Sequence, residues 1–152
     1  MKTAILKLRQ FCAYQERSHQ ETKYKCLELG LRGEEVEEAI AELIADNFLN
    51  EERFAKAYAG GKFRIKQWGR KKIMMELKQK QVSAYCIKKG MEEIDEDDYI
   101  AVLHKLVEKK YLSLKGETAM KRKYKTMQHL LQKGFEPELI NDALEQIAKN
   151  EA

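Results

Sequence analysis

Two basic clusters hold the side chains of this chain best suited to chemistry, and the chemistry they suit is binding rather than bond making. From Lys62 to Lys80 there are eight basic residues (Lys62, Arg64, Lys66, Arg70, Lys71, Lys72, Lys78 and Lys80) against one acid, Glu76. A second cluster follows at Lys121, Arg122, Lys123 and Lys125. The first also contains Phe63 and Trp68. Such a stretch can follow a phosphate backbone, with cations on phosphates and an aromatic ring available for stacking. It can equally follow an acidic protein surface, where complementary charge speeds encounter and sets register. A charge run is also the ordinary solvated face of an amphipathic helix, so charge alone leaves all three readings open. Trp68 reads more readily as a packing residue at a helix joint than as a stacking platform.

The acids are blocked too. Glu34 to Glu52 holds eight acidic residues and no basic one, and six of the seven residues from Glu92 to Asp98 are acidic. The net charge of +4 therefore understates the local fields. Catalytic patterns do not emerge. His19, His104 and His129 are far apart in sequence and read as surface or structural histidines. Gly60-Gly61-Lys62 lacks the first glycine of a phosphate loop, since position 56 is Lys, and Phe63 stands where a Ser or Thr would hold the metal. The glycine doublet suits close helix packing or a bend. The carboxylates lie in solvated runs with no desolvated acid–base pair. No cofactor, metal or small-molecule substrate is expected.

These residues must be carried by helices. Ala4, Ile5, Leu8, Phe11 and Cys12 recur with helical spacing. Ser18 and Glu21 have capping-box spacing for the next helix, which Gly30 is placed to end. Val36, Ala39, Ile40, Leu43 and Ile44 form a third stripe. Asn50 suits an N-cap before a helix with Phe54, Tyr58, Gly61 and Ile65 on one face. Ile73, Met74 and Leu77 are expected to face a core, leaving Lys71, Lys72 and Lys78 on the outer arc with Met75. Ser83 suits the sixth cap, and Asp95 or Asp98 opens a helix through Tyr99, Leu103, Leu106 and Val107. Met120, Tyr124, Met127 and Leu131 form the eighth stripe, and Pro137 stands at a first-turn position before Ile140, Ala143, Leu144 and Ile147. No stretch alternates long enough to be a strand.

The nine helices repeat in threes. Gly30-Leu31 followed by Val36, Ala39 and Ile40 returns as Gln81-Val82 followed by Ile87, Gly90 and Met91. It returns again as Gly134-Phe135 followed by Ile140, Ala143 and Leu144. The offsets are 51 (30 to 81) and 53 (81 to 134), and they align Cys26, Leu77 and Leu130. A fixed period of this size marks one supersecondary unit used repeatedly. The expected fold is all-α, with three-helix repeats at 1–48, 49–94 and 95–152. The middle copy, with Gln81 for Gly and Gly90 inside its last helix, is expected to depart most from the pattern. Three cysteines (Cys12, Cys26 and Cys86) without metal spacing suit buried thiols in a reducing compartment. With no apolar run near the ~20 residues of a membrane span and no signal-peptide core, the expectation is a cytoplasmic protein.

The run Asn50-Glu51-Glu52-Arg53-Phe54-Ala55, after Asp46-Asn47-Phe48-Leu49, resembles the signature of the RecX family, regulators of the bacterial recombinase RecA. Arg17-Ser18 with Glu21 ahead of Gly30-Leu31 is similar to that family's first hairpin. Trp68-Gly69-Arg70-Lys71-Lys72-Ile73 with Leu77 resembles its second, and Gly134-Phe135 with Ile140 and Ala143-Leu144 its third. Thr22 and Gln81 depart from the family's usual apolar residue and glycine. The resemblance implies three tandem three-helix units in an elongated, curved stack. It implies a non-catalytic protein lying along the groove of the RecA–DNA filament and suppressing ATP hydrolysis, strand exchange or growth. The contacts expected from charge are Lys62, Arg64, Lys66, Arg70, Lys71, Lys72, Lys78, Lys121, Arg122, Lys123 and Lys125, with single- or double-stranded DNA as a second partner. A stand-alone nucleic-acid binder and a protein–protein scaffold are the alternatives.

Overall fold

The computed structural model describes residues 1–151, and among these the chain is all-α with nine helices. They are α1 (Lys2–Tyr14), α2 (His19–Glu28), α3 (Glu34–Ala45), α4 (Glu51–Arg64), α5 (Arg70–Gln79), α6 (Ala84–Met91), α7 (Glu96–Ser113), α8 (Ala119–Gln132) and α9 (Pro137–Glu151). Their starts follow local chemistry. Side-chain oxygens of Ser18, Asn50, Ser83, Asp95 and Thr118 each accept from the backbone N–H three residues on, satisfying a donor that the first turn cannot pair. Asp95 rather than Asp98 is thus the cap of α7. Pro137 opens α9, where its missing N–H costs nothing.

The repeat has a specific backbone cause. Gly30, Gln81 and Gly134 all have positive φ, at 92°, 63° and 97°. Each follows the second helix of its triplet by two residues. The N–H of the following residue reaches back to the carbonyl five positions earlier: Leu31 to Cys26, Val82 to Leu77, and Phe135 to Leu130. The N–H of the left-handed residue itself bonds the carbonyl three positions earlier, at Leu27, Lys78 and Leu131. This is the Schellman termination, and all six residues of its three apolar pairs are buried. Gln81 therefore keeps the turn of its glycine counterparts. Asn47, at φ 62°, ends α3 the same way, with Phe48 N–H on the Leu43 carbonyl.

Packing groups the residues into two compact bodies, one of Met1–Ala59 with Glu76–Glu92 and one of Gly60–Met75 with Glu93–Ala152. Helices α4 and α5 contribute residues to both. In the first body, α1, α2 and α3 enclose a core that includes Leu8, Cys26, Ala39, Leu43 and Leu49. Gly90 of α6 lies against α4, where an added Cβ would stand 2.7 Å from the Ala55 carbonyl oxygen. It occupies the small-residue position that Ala39 and Ala143 hold in the other copies, so this close approach falls at Gly90 rather than at the Gly60-Gly61 doublet. In the second body, α7 packs on α8 and α9. Tyr99 is ringed by Phe63 and Phe135, with centroids 5.7 and 5.2 Å away.

Several expected stripes shift. Ile44 and Met74 are 44% and 36% exposed, because each sits on the flank of an arc centred on Leu43 or on Ile73 and Leu77. On α4 the buried line runs through Ala55, Ala59 and Phe63, and Ile65 lies beyond the helix end in solvent. On α8 the buried residues are Thr126 and Leu130, leaving Met120 and Tyr124 at 81% and 66% exposure. Cys12 and Cys26 are buried, and desolvation raises both thiols above their ordinary value; Cys86 is half-exposed. Among the described residues no helix is long and apolar enough to cross a membrane.

The left-handed turns make a graded series. At Gly30 an added methyl would meet open space, whereas at Gly134 it would stand 2.4 Å from Lys72 Cβ and 2.6 Å from its backbone nitrogen. In urea unfolding, Gly30→Ala should cost about 1 kcal/mol from left-handed strain alone. Gly134→Ala should cost clearly more, and Gln81→Gly should stabilise by about 0.5 kcal/mol. Equal costs for the two alanine variants would contradict this account.

Candidate functional site

The basic residues predicted from sequence fall into two populations. Arg70, first residue of α5, is held inward. Its Nε donates to Glu136 at 2.8 Å, with Nη2 in ion-pair contact with the same carboxylate at 2.7 Å, and Nη1 donates to Glu96 at 2.7 Å. Its guanidinium carbon lies 4.0 Å from the centre of the Tyr99 ring. The Tyr99 hydroxyl donates to Glu136 and accepts from the Arg70 backbone N–H. Beside it, the chain passes backbone to backbone. Gly69 N–H donates to the Lys133 carbonyl at 2.7 Å and Lys71 N–H to the Gly134 carbonyl at 3.0 Å. A Cβ on Gly69 would lie 2.3 Å from the Gly134 carbonyl carbon. Only a residue without a side chain admits that clasp.

Arg122 is likewise committed. It donates twice to the Tyr111 carbonyl, lies over the Tyr111 ring at 3.8 Å, and pairs with Glu151. Arg17 repeats the arrangement on the Phe11 carbonyl and ring. Lys125 pairs with Glu117. Arg64 stacks its guanidinium where a side chain on Gly60 would go.

The remaining lysines face solvent or Trp68. Lys62 and Lys72 place their ammonium groups 4.9 and 4.3 Å from the Trp68 ring centre. Trp68 is half-buried in the α4–α5 connection, consistent with a joint residue, and its backbone N–H donates to the Lys62 carbonyl. Lys66, Lys71, Lys78, Lys121 and Lys123 are exposed, and among the described residues no carboxylate pairs with them. The structure thus brings Lys62, Trp68 and Lys72 together and commits Arg70 and Arg122 to pairs within the chain. The Arg70–Tyr99–Glu136 network had no local signal, since its members are 29 to 66 residues apart. Among the described residues no group of three or more His, Cys, Asp or Glu is placed to hold a metal ion.

Two phenols are tuned by this packing. Burial, then the hydrogen bond to Glu136, raises Tyr99 above its ordinary value of 10. Burial, with Glu76 and Glu21 nearby, pushes Tyr58 up to about 12. Both shifts favour the neutral phenol in the folded chain. Their stabilisation is therefore complete below pH 10 and is lost as pH rises toward 12 and beyond. Unfolding measured along that alkaline range should steepen for the wild type and flatten for Tyr58→Phe and Tyr99→Phe. Parallel curves would show that these phenols do not titrate differently in the two states.

Comparison with known proteins gives the family. The sequence profile described as the second three-helix domain of RecX matches residues 50–91, and that of the third three-helix domain matches residues 96–144. A regulatory protein RecX of Pelodictyon phaeoclathratiforme is 34% identical over 130 residues, covering 84% of this chain and 79% of that protein. One from Clostridium perfringens is 32% identical over 137 residues, covering 89% of this chain. The chain spans 64% of that relative's length and 54% of one from Bacillus cytotoxicus. A crystal structure of RecX from Lactobacillus salivarius superposes with a TM-score of 0.84, at 20% identity, over 97% of this chain and 99% of that one. A second RecX crystal structure does so at 0.82 and 21% identity, over 93% of this chain and 71% of that one. These likenesses match the fold, and the sequence relatives carry the assignment: the chain belongs to the RecX family of regulatory proteins.

Proposed function

We propose that this chain binds the RecA–DNA filament and restrains it, slowing ATP hydrolysis, strand exchange and filament growth during recombination and repair in the cytoplasm. It acts by occupancy and carries out no chemistry of its own. The observation that supports this most directly is the set of exposed lysines without carboxylate partners among the described residues, namely Lys66, Lys71, Lys78, Lys121 and Lys123. They are spread along the sequence on α5, on α8 and in the α4–α5 connection, as suits a ligand that is itself repetitive. Three-helix segments at 1–48, 49–94 and 95–152 serve as the binding modules. Each contributes weak contacts, and linkage raises the effective concentration of the next one. Lys62 and Lys72, held at Trp68, supply a further cationic contact to the filament or its DNA.

The test is the addition of the purified chain to RecA assembled on single-stranded DNA. ATP hydrolysis should fall as the chain is titrated in. The combined Lys66→Glu, Lys71→Glu, Lys78→Glu variant should need about tenfold more protein for the same effect, with helical content unchanged. No effect on hydrolysis, filament length or strand exchange would refute the proposal. Equal, steeply salt-dependent binding to bare DNA without RecA would instead favour a stand-alone nucleic-acid binder.

A further inference from the structure

The outer face of α8 carries an apolar line that no described residue of the second body covers at its N-terminal end. Met120, Tyr124, Met127 and Leu131 follow a 4-3-4 spacing, the seam of a helix made to lie along another helix. The last two are half-buried, while Met120 and Tyr124 stand 81% and 66% exposed. Lys121 and Lys123 flank this line, exposed and in no ion pair among the described residues, although Glu117, paired with Lys125, lies near enough to feel the charge of Lys121. A face of this kind calls for an acidic helix with a matching apolar line.

The chain itself carries one. The exposed side of α3 presents Ala41 and Ile44, with half-buried Phe48 continuing the line just past the helix, again in steps of three and four. Around it stand Glu34, Glu37 and Glu38, all exposed. Glu42 and Asp46 lie on the other flank, where Arg9 pairs with both, so the three forward glutamates remain uncompensated by any ion pair among the described residues. We infer that α8 of one copy docks on α3 of a second copy, Lys121 and Lys123 against Glu34, Glu37 and Glu38, with Met120 and Tyr124 against Ala41 and Ile44.

The two surfaces are different patches of one chain, so every copy offers its neighbours one basic face on α8 and one acidic face on α3. One helix on one helix buries less than the ~1,200 Å² of a stable interface. Association in free solution is accordingly weak and salt-sensitive.

Charge reversal on each side tests this by sedimentation across a concentration series at low salt. The wild type should gain average mass with concentration and lose that gain in high salt. Lys121→Glu/Lys123→Glu and Glu34→Lys/Glu38→Lys should each weaken association by about tenfold or more. An equimolar mixture of the two variants should recover it, because every α8 then meets an α3 of opposite charge. All four positions are exposed, so unchanged helical content is the fold control. A wild type that stays monomeric at every concentration and salt, variants that associate like the wild type, or a mixture that recovers nothing would each overturn the inference. Capture of a separate acidic protein by α8 without self-association would overturn it as well.

Discussion

Three residues held in the left-handed region organise this molecule. Gly30, Gln81 and Gly134 each stop the second helix of a triplet and turn the chain into the third. The conformation is unfavourable by roughly 1–2 kcal/mol for a residue with a side chain. It persists because it satisfies two helix-terminal carbonyls and presses an apolar residue back onto the helix it has just left. That apolar pair then nucleates the burial of the third helix, whose first buried residue is Val36, Ile87 or Ile140. Repetition at the level of sequence thus comes down to one backbone geometry used three times. Gln81 shows that the geometry, rather than glycine, is what repeats.

The cations divide by type, and the division follows from their chemistry. Arginine offers a planar fork that can hold a carboxylate or carbonyl while its face lies on an aromatic ring. Arg17, Arg70 and Arg122 all do this, on Phe11, Tyr99 and Tyr111. Lysine carries a compact, strongly hydrated charge on a flexible stem and tends to leave it in water. Lys66, Lys71, Lys78, Lys121 and Lys123 are exposed in that way. A cluster that looks uniform in one dimension is therefore part scaffold and part available surface.

The helices and their starts were legible because their causes are local. Ser18, Asn50, Ser83 and Pro137 act within a turn of themselves, and the structure places each where the spacing predicts. The faces of marginal helices were less legible. Met120, Tyr124, Met127 and Leu131 make a regular apolar line, yet α8 buries Thr126 and Leu130. Periodicity reports that a line exists, not whether the chain's own core or a partner covers it. Tertiary pairings were not legible at all. Nothing near Arg70 announces Glu136, and nothing near Gly69 announces that another backbone must pass within contact distance. Gly90, an irregularity of the middle copy in sequence, is the position where α6 meets the Ala55 backbone.

The clasp at Gly69 and Gly134 also has a consequence in time. Pairing α7 with α8 and α9, or α1 with α2 and α3, closes short loops, and such contacts form early and cheaply. The Arg70–Glu136 pairing spans 66 residues and must wait until the ends of a long segment meet. Once made, that pairing ties the start of α5 through Gly69, Arg70 and Lys71 to residues far along the chain. Lys71 and Lys72 ride on that segment, so a partner grasping them would act on a slowly assembled but firmly held part of the second body.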